Sequence, residues 1–151
     1  MEMNMFKPWL LLVACLSLVA TASGQQQEQN VKQLGKMEVH YIGIPTTFLT
    51  PEVAQSYKIE RSRYRGLLNI VALDTTKEDT PALSVGISGT ATNLVGQTFT
   101  LKFNKVTEGE AIYYLATIDY PNDETYRFDI LINNNGDEQQ LKFTQKFYVE
   151  E

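Results

Sequence analysis

The stretch Thr125-Tyr126-Arg127-Phe128-Asp129-Ile130-Leu131-Ile132-Asn133, followed by Asn135-Gly136 and then by Gln139 to Val149, decides the fold. Tyr126, Phe128, Ile130 and Ile132 recur at every second position, as do Leu141, Phe143, Phe147 and Val149 after the turn. A period of two with aromatic and β-branched residues is the signature of a half-buried strand. Asn-Gly enters a type I′ hairpin turn at the lowest steric cost. Two strands joined by a tight turn are therefore expected at the end of the chain, and this reading extends backwards.

Five more segments carry the same pattern: Lys36 to Ile44, Gly66 to Leu73, Leu83 to Thr90, Gln97 to Asn104 and Glu110 to Asp119. In the first, Met37, Val39 and Tyr41 share one face, with Glu38, His40 and Ile42 on the other; in the last, Ile112, Tyr114, Ala116 and Ile118 share a face. Leu94-Val95-Gly96, Thr107-Glu108-Gly109 and Asp119 to Asp123 around Pro121 read as short hairpin connections. The exception to the strands is Thr50-Pro51-Glu52-Val53-Ala54-Gln55-Ser56-Tyr57, where Thr50 can cap a short helix, Pro51 suits its first position and Glu52 favours its positive end. The expectation is an all-β fold: an antiparallel two-sheet sandwich of immunoglobulin-like type, with about seven strands and one short helix near 51–57. A closed barrel is the alternative.

At the other end of the chain the composition breaks near residue 24, where an apolar run from Trp9 to Ala22 gives way to Gln25-Gln26-Gln27-Glu28-Gln29-Asn30. Lys7, the apolar run and Ala20-Thr21-Ala22 or Ala22-Ser23-Gly24 have the order of a cleaved secretory signal peptide, here 1–24, leaving 25–151 as a single domain. A membrane anchor needs roughly 20 apolar residues, and Pro8 to Ala22 supplies only about 15. Leu12-Val13-Ala14-Cys15 has the form of a lipoprotein box, the minor alternative, although its apolar run continues past Cys15. The sole cysteine, Cys15, and the sole tryptophan, Trp9, both fall in the leader, so no disulfide partner and no thiol are expected in the mature domain. Glu2 and Lys7 cancel, so the formal net charge of −5 belongs to that domain. This balance argues against nucleic acid and anionic membrane surfaces as partners.

His40-Tyr41, the segment Thr47-Phe48-Leu49-Thr50-Pro51-Glu52-Val53-Ala54, then Tyr57, Ile59 and Arg61-Ser62 resemble the N-terminal signature of a secreted bacterial family, the domain of unknown function 4426. The ending Leu141-Lys142-Phe143-Thr144-Gln145-Lys146-Phe147-Tyr148 is similar to that family's last strand. The resemblance implies a periplasmic protein of a Gram-negative bacterium. The family has no established activity, so it assigns no site residue.

Catalytic chemistry finds little to work with. A zinc site takes three or four ligands, and the lone His40, sharing a strand face with Glu38, has no cysteine or second histidine to join it. Ser56, Ser62, Ser84 and Ser88 would all depend on His40 as base, and no Gly-x-Ser-x-Gly elbow is present. Asp119, Asp123, Glu124 and Asp129 cluster in sequence, as paired glycosidase carboxylates would, but they sit at a turn and on an outer strand face. Asn133 to Glu138 lacks the spacing of a calcium loop. No cofactor, metal or catalytic residue is expected.

Two features point to interaction. Arg61, Arg63 and Arg65 alternate with Ser62 and Tyr64, and in an extended segment they would project from one side as a positive stripe in an acidic chain. The stripe suits an acidic partner or serves as an edge guard. All eight tyrosines lie after residue 24; Tyr114 and Tyr126 fall on apolar faces, Tyr126 in position for a tyrosine corner, while Tyr113, Tyr120 and Tyr148 are expected to be exposed. The candidate surface is Arg61, Arg63, Arg65, Tyr64 and Tyr120. The expected function is that of a non-enzymatic periplasmic accessory domain binding another envelope protein. A small-ligand or glycan-binding module is the alternative, and a carboxylate-based hydrolase stands third.

Overall fold

The structure, a computed structural model, describes residues 30–151. The expected leader, with Trp9, Cys15 and the lipoprotein box, lies outside the described residues. Among those described, no helix is long and apolar enough to cross a membrane.

Among the described residues nine strands build the fold: β1 (Asn30–Leu34), β2 (Met37–Pro45), β3 (Arg65–Asp74), β4 (Gly86–Asn93), β5 (Thr98–Leu101), β6 (Asn104–Glu108), β7 (Ala111–Asp119), β8 (Glu124–Asn134) and β9 (Asp137–Phe147), with helix α1 at Pro51–Ser56. They form two antiparallel sheets of order β1-β2-β3-β7-β6 and β5-β4-β8-β9. Lettering β2 to β9 as A, B, C, C′, D, E, F and G gives A-B-E-D and C′-C-F-G. That is the immunoglobulin arrangement, with β1 added outside A. The sandwich is open, not a closed barrel.

The inward faces follow the sequence period. Met37, Val39 and Tyr41 on β2, Tyr114, Ala116 and Ile118 on β7, and Tyr126, Phe128, Ile130 and Ile132 on β8 all enter one core. Phe128 stacks on Phe143 at 4.8 Å and Tyr120 on Phe147 at 5.1 Å, while Tyr126 meets Phe147 edge-on. With no cysteine among the described residues to tie the sheets, these aromatic contacts across and along the interface supply the cohesion.

The hydroxyl of Tyr126 donates to the carbonyl of Asp119 at 2.9 Å. This is the tyrosine corner: it fixes the path of the chain as it leaves β7 in one sheet and enters β8 in the other. The Asp119–Asp123 segment is therefore a crossing between sheets and not the hairpin expected from its Pro and Asp content. By contrast, Asn135-Gly136 forms the expected two-residue turn, with φ of 52° and 94°.

Three other differences have physical causes. The expected strand Gln97–Asn104 divides, because Leu101 and Phe103 both reach the core while the chain passes from β5 in one sheet to β6 in the other. The strand expected at Leu83 starts at Gly86 instead, since Leu83 N–H donates to the Ala72 carbonyl and Val85 N–H to the Tyr114 hydroxyl, docking 83–85 on the core without a ladder. The polar, exposed β1 has no apolar period to announce it; it pairs with β2 through a turn at Gly35, whose φ is 58°.

The outer face of the first sheet is also covered. Between β2 and β3 the chain makes a 3-10 turn at Thr46–Phe48 and then α1, and Leu49, Val53 and Ala54 pack on Leu67, Tyr113 and Leu115. Thr50 caps α1, its Oγ1 accepting from Val53 N–H at 3.3 Å, with Pro51 at the first helical position as the sequence predicts. At the far end Lys58 (φ 56°) donates its N–H to the Gln55 carbonyl and Ile59 donates to Ala54, a Schellman closure with lysine where glycine costs least.

Candidate interaction surface

One end of the sandwich gathers four pieces of chain. The register places Pro45 beside Gly66, Arg65 beside Asp119, Glu124 beside Phe147 and Asn93 beside Tyr126. The 46–64 connection, the β4–β5 tip, the 120–123 crossing and the C-terminal residues therefore all emerge there. Hydrogen bonds tie the pieces together: Tyr120 N–H to the Tyr64 carbonyl at 2.8 Å, Thr47 Oγ1 to Glu150 Oε2 at 2.8 Å, and Val149 N–H to Asp123 Oδ1 at 2.8 Å.

The arginines are not a stripe. Segment 59–64 forms no strand, because buried Thr46 both accepts from Ser62 N–H and donates to its carbonyl, and Arg65 N–H then closes a turn onto Ser62. Arg65 forms two bonds to Asp119, at 2.6 and 3.2 Å, and one to Glu60 at 2.9 Å. Its charge is spent within the protein; the hydrogen bond to Asp119 is the main reason its pKa is raised. Arg61 and Arg63 remain exposed, without a carboxylate partner among the described residues. Arg61 donates to the Thr47 carbonyl, and Arg63 lies 4.8 Å from the centre of the Tyr64 ring, a cation–π contact, while donating to its hydroxyl at 2.6 Å.

Tyr64 is exposed, and so is Tyr148, as expected; Lys146 lies over the Tyr148 ring at 4.6 Å. Tyr120 and Tyr113 are buried, which corrects their expected exposure. Tyr120 follows β7 directly into the sheet crossing, where it stacks on Phe147, and its hydroxyl has no hydrogen-bond partner among the described residues. Burial, then the charges of Glu150 and Asp123, push its pKa up to about 12. Tyr113 alternates onto the outer face beneath α1, a face that sequence alone leaves open to water.

The sequence reading missed the strongest apolar element of this end. Leu94 and Val95, at the β4–β5 tip, are 70% and 82% exposed, and Phe48 beside Arg61's partner Thr47 is 57% exposed. Two consecutive aliphatic residues at a hairpin tip, where Asn, Asp and Ser are the usual occupants, are the available signal.

Each of the carboxylates that cluster in the sequence has a local partner among the described residues. Asp119 serves Arg65, Asp123 holds Val149 N–H, Glu124 accepts from Thr125 N–H, and Asp129 accepts from Gln140 with Lys142 3.8 Å away. His40 Nε2 meets Glu38 Oε1 at 2.6 Å on the shared face expected for them, and no described group of three or more histidine, cysteine, aspartate and glutamate side chains comes together. What the end carries is exposed aliphatic and aromatic side chains together with two exposed guanidinium groups.

Comparison with solved structures finds similar folds. A DUF4426 family protein from Pseudomonas aeruginosa PAO1 is 30% identical over 82% of this chain and 97% of its own, with a TM-score of 0.71. FetP of uropathogenic Escherichia coli strain F11, expressed in the periplasm, is 12% identical over 80% of this chain and 93% of its own, with a TM-score of 0.50; a copper-bound variant of FetP scores 0.51 at the same identity. At that identity the likeness concerns the fold alone. Comparison with curated proteins finds no match. Residues 31–150 match the sequence profile of the domain of unknown function DUF4426, and the chain belongs to that family.

Proposed function

We propose that the protein is a non-enzymatic binding domain of the Gram-negative periplasm that docks on another envelope protein through the Arg61–Tyr64 end of the sandwich. The observation that carries the reading is that Phe48, Tyr64, Leu94, Val95 and Tyr148, all exposed, lie at the same end of the sandwich as Arg61 and Arg63. Aromatic and arginine side chains carry most of the energy of protein interfaces, and cations at the rim steer an acidic partner. The leader-like sequence of residues 1–24 supports export.

Arg65 is left out of the contact set because Asp119 and Glu60 already hold it. The test is recovery of envelope proteins by the tagged wild type and by a variant with Arg61→Gln, Arg63→Gln, Tyr64→Ala, Leu94→Ser and Val95→Ser, at low and high salt. The variant should melt like the wild type and lose a partner that the wild type retains at low salt. Recovery of the same proteins in equal amounts by both forms would overturn the docking surface.

A further inference from the structure

On the outer face of the first sheet lies a groove of about 330 Å³ between the C-terminal turn of α1 and the β5–β6 crossing. Leu67 and Leu115 form its apolar floor, Tyr57 stands in its wall, Thr117 offers a hydroxyl, and Lys58 and Lys102 flank it. Tyr57 and Lys58 lie in the 46–64 connection, but none of the groove residues is among Phe48, Arg61, Arg63, Tyr64, Leu94, Val95 and Tyr148, so the two sets can be altered separately.

The two lysines are the telling feature. In a chain with 18 acids and 13 lysines and arginines, Glu60 is held by Arg65, and Glu108 accepts from the Tyr57 hydroxyl at 2.7 Å through one oxygen while its other oxygen is buried without a partner among the described residues. Among the described residues, Lys58 and Lys102 have no carboxylate within ion-pair distance. Lys58 also holds the left-handed position that closes α1, where an L side chain is strained and glycine is favoured. Two unpaired cations beside a recess that mixes hydroxyl, amide and aliphatic groups match a ligand that is anionic, hydroxylated and apolar on one face. The recess is at the small end of the range for ligand sites.

We propose that this groove binds an anionic sugar of one or two rings, its carboxylate or phosphate held by Lys58 and Lys102 and its apolar ring face lying on Leu67 and Leu115. The experiment is titration of the isotopically labelled protein with glucuronate, glucose 6-phosphate, glucose, acetate and inorganic phosphate, followed by amide shifts in NMR. Either or both anionic sugars should shift the amides of Lys58, Lys102 and Thr117 saturably, and which of them binds more tightly identifies the acidic group as carboxylate or phosphate. The Lys58→Gln/Lys102→Gln variant should weaken that binding about tenfold with an unchanged melting temperature, since two exposed charge contacts are removed. Glucose binding as tightly as the acidic sugars would overturn the role of charge. Acetate or inorganic phosphate binding as tightly would overturn recognition of the ring. Absence of shifts with both acidic sugars, or equal binding by the double variant, would overturn the site.

Discussion

Tyr126 and Gly66 show how much can rest on a few atoms. Tyr126→Phe keeps the buried ring but leaves the Asp119 carbonyl without its donor, so chemical denaturation should show a loss of about 1–2 kcal/mol with an unchanged m-value. Gly66→Ala tests the opposite fault. An added Cβ would stand 2.6 Å from Phe147 Cε1, and Phe147 is fixed between Tyr120 and Tyr126, so overpacking should cost about 1–3 kcal/mol. Tyr126 could be placed from the sequence because a tyrosine at the start of a late strand has one geometric role in this fold. Gly66 could not, since nothing beside it in sequence names the ring it must avoid.

At the scale of the element, strands with an apolar period declared themselves, and strands without one did not. β8 and β9 were legible because each buries alternate side chains beside a turn with a single good solution. β1 is held by backbone pairing and by Lys32 reaching the Lys142 carbonyl at 3.0 Å, and neither leaves a mark on hydropathy. The arginine stripe failed for a related reason: alternation predicts one face only where the backbone is extended, and Thr46 bends 61–64 into a turn. The short helix permits a two-sided test. Thr50→Ala should destabilise by about 1 kcal/mol through the lost cap, whereas Lys58→Gly should stabilise by about 0.5–1 kcal/mol by relieving the left-handed lysine. Both are read from denaturation midpoints.

The molecule as a whole should be sensitive to alkali. Burial raises the pKa of Tyr120 from 10.0 to about 12, and raises Tyr57 and Tyr113 still further. The unfolded chain therefore releases these protons first. The stability they contribute is complete below about pH 10 and falls as the pH rises through the folded values. Unfolding free energy followed by denaturant should hold level up to about pH 10 and then drop, and Tyr120→Phe should make that drop shallower. The sandwich was within reach of pattern and turn chemistry, while the strand order was not, because the crossings at 102–103 and 120–123 read as strand interior and hairpin. The candidate interaction end was only half visible, because register assembles it from four segments that lie far apart along the chain.

The eleven residues of β8 run from the crossing at Glu124 to the Asn135–Gly136 tip, a span of roughly 35 Å. That tip is a ready handle. The described residues contain no cysteine, so with Cys15 replaced by serine, Glu138→Cys, beside the tip and exposed, would offer a single attachment point there. A molecule tethered through it to a solid support would stand upright, Arg61, Tyr64 and Leu94 facing the solution, and every copy on the sensor would present the same end to whatever flows past.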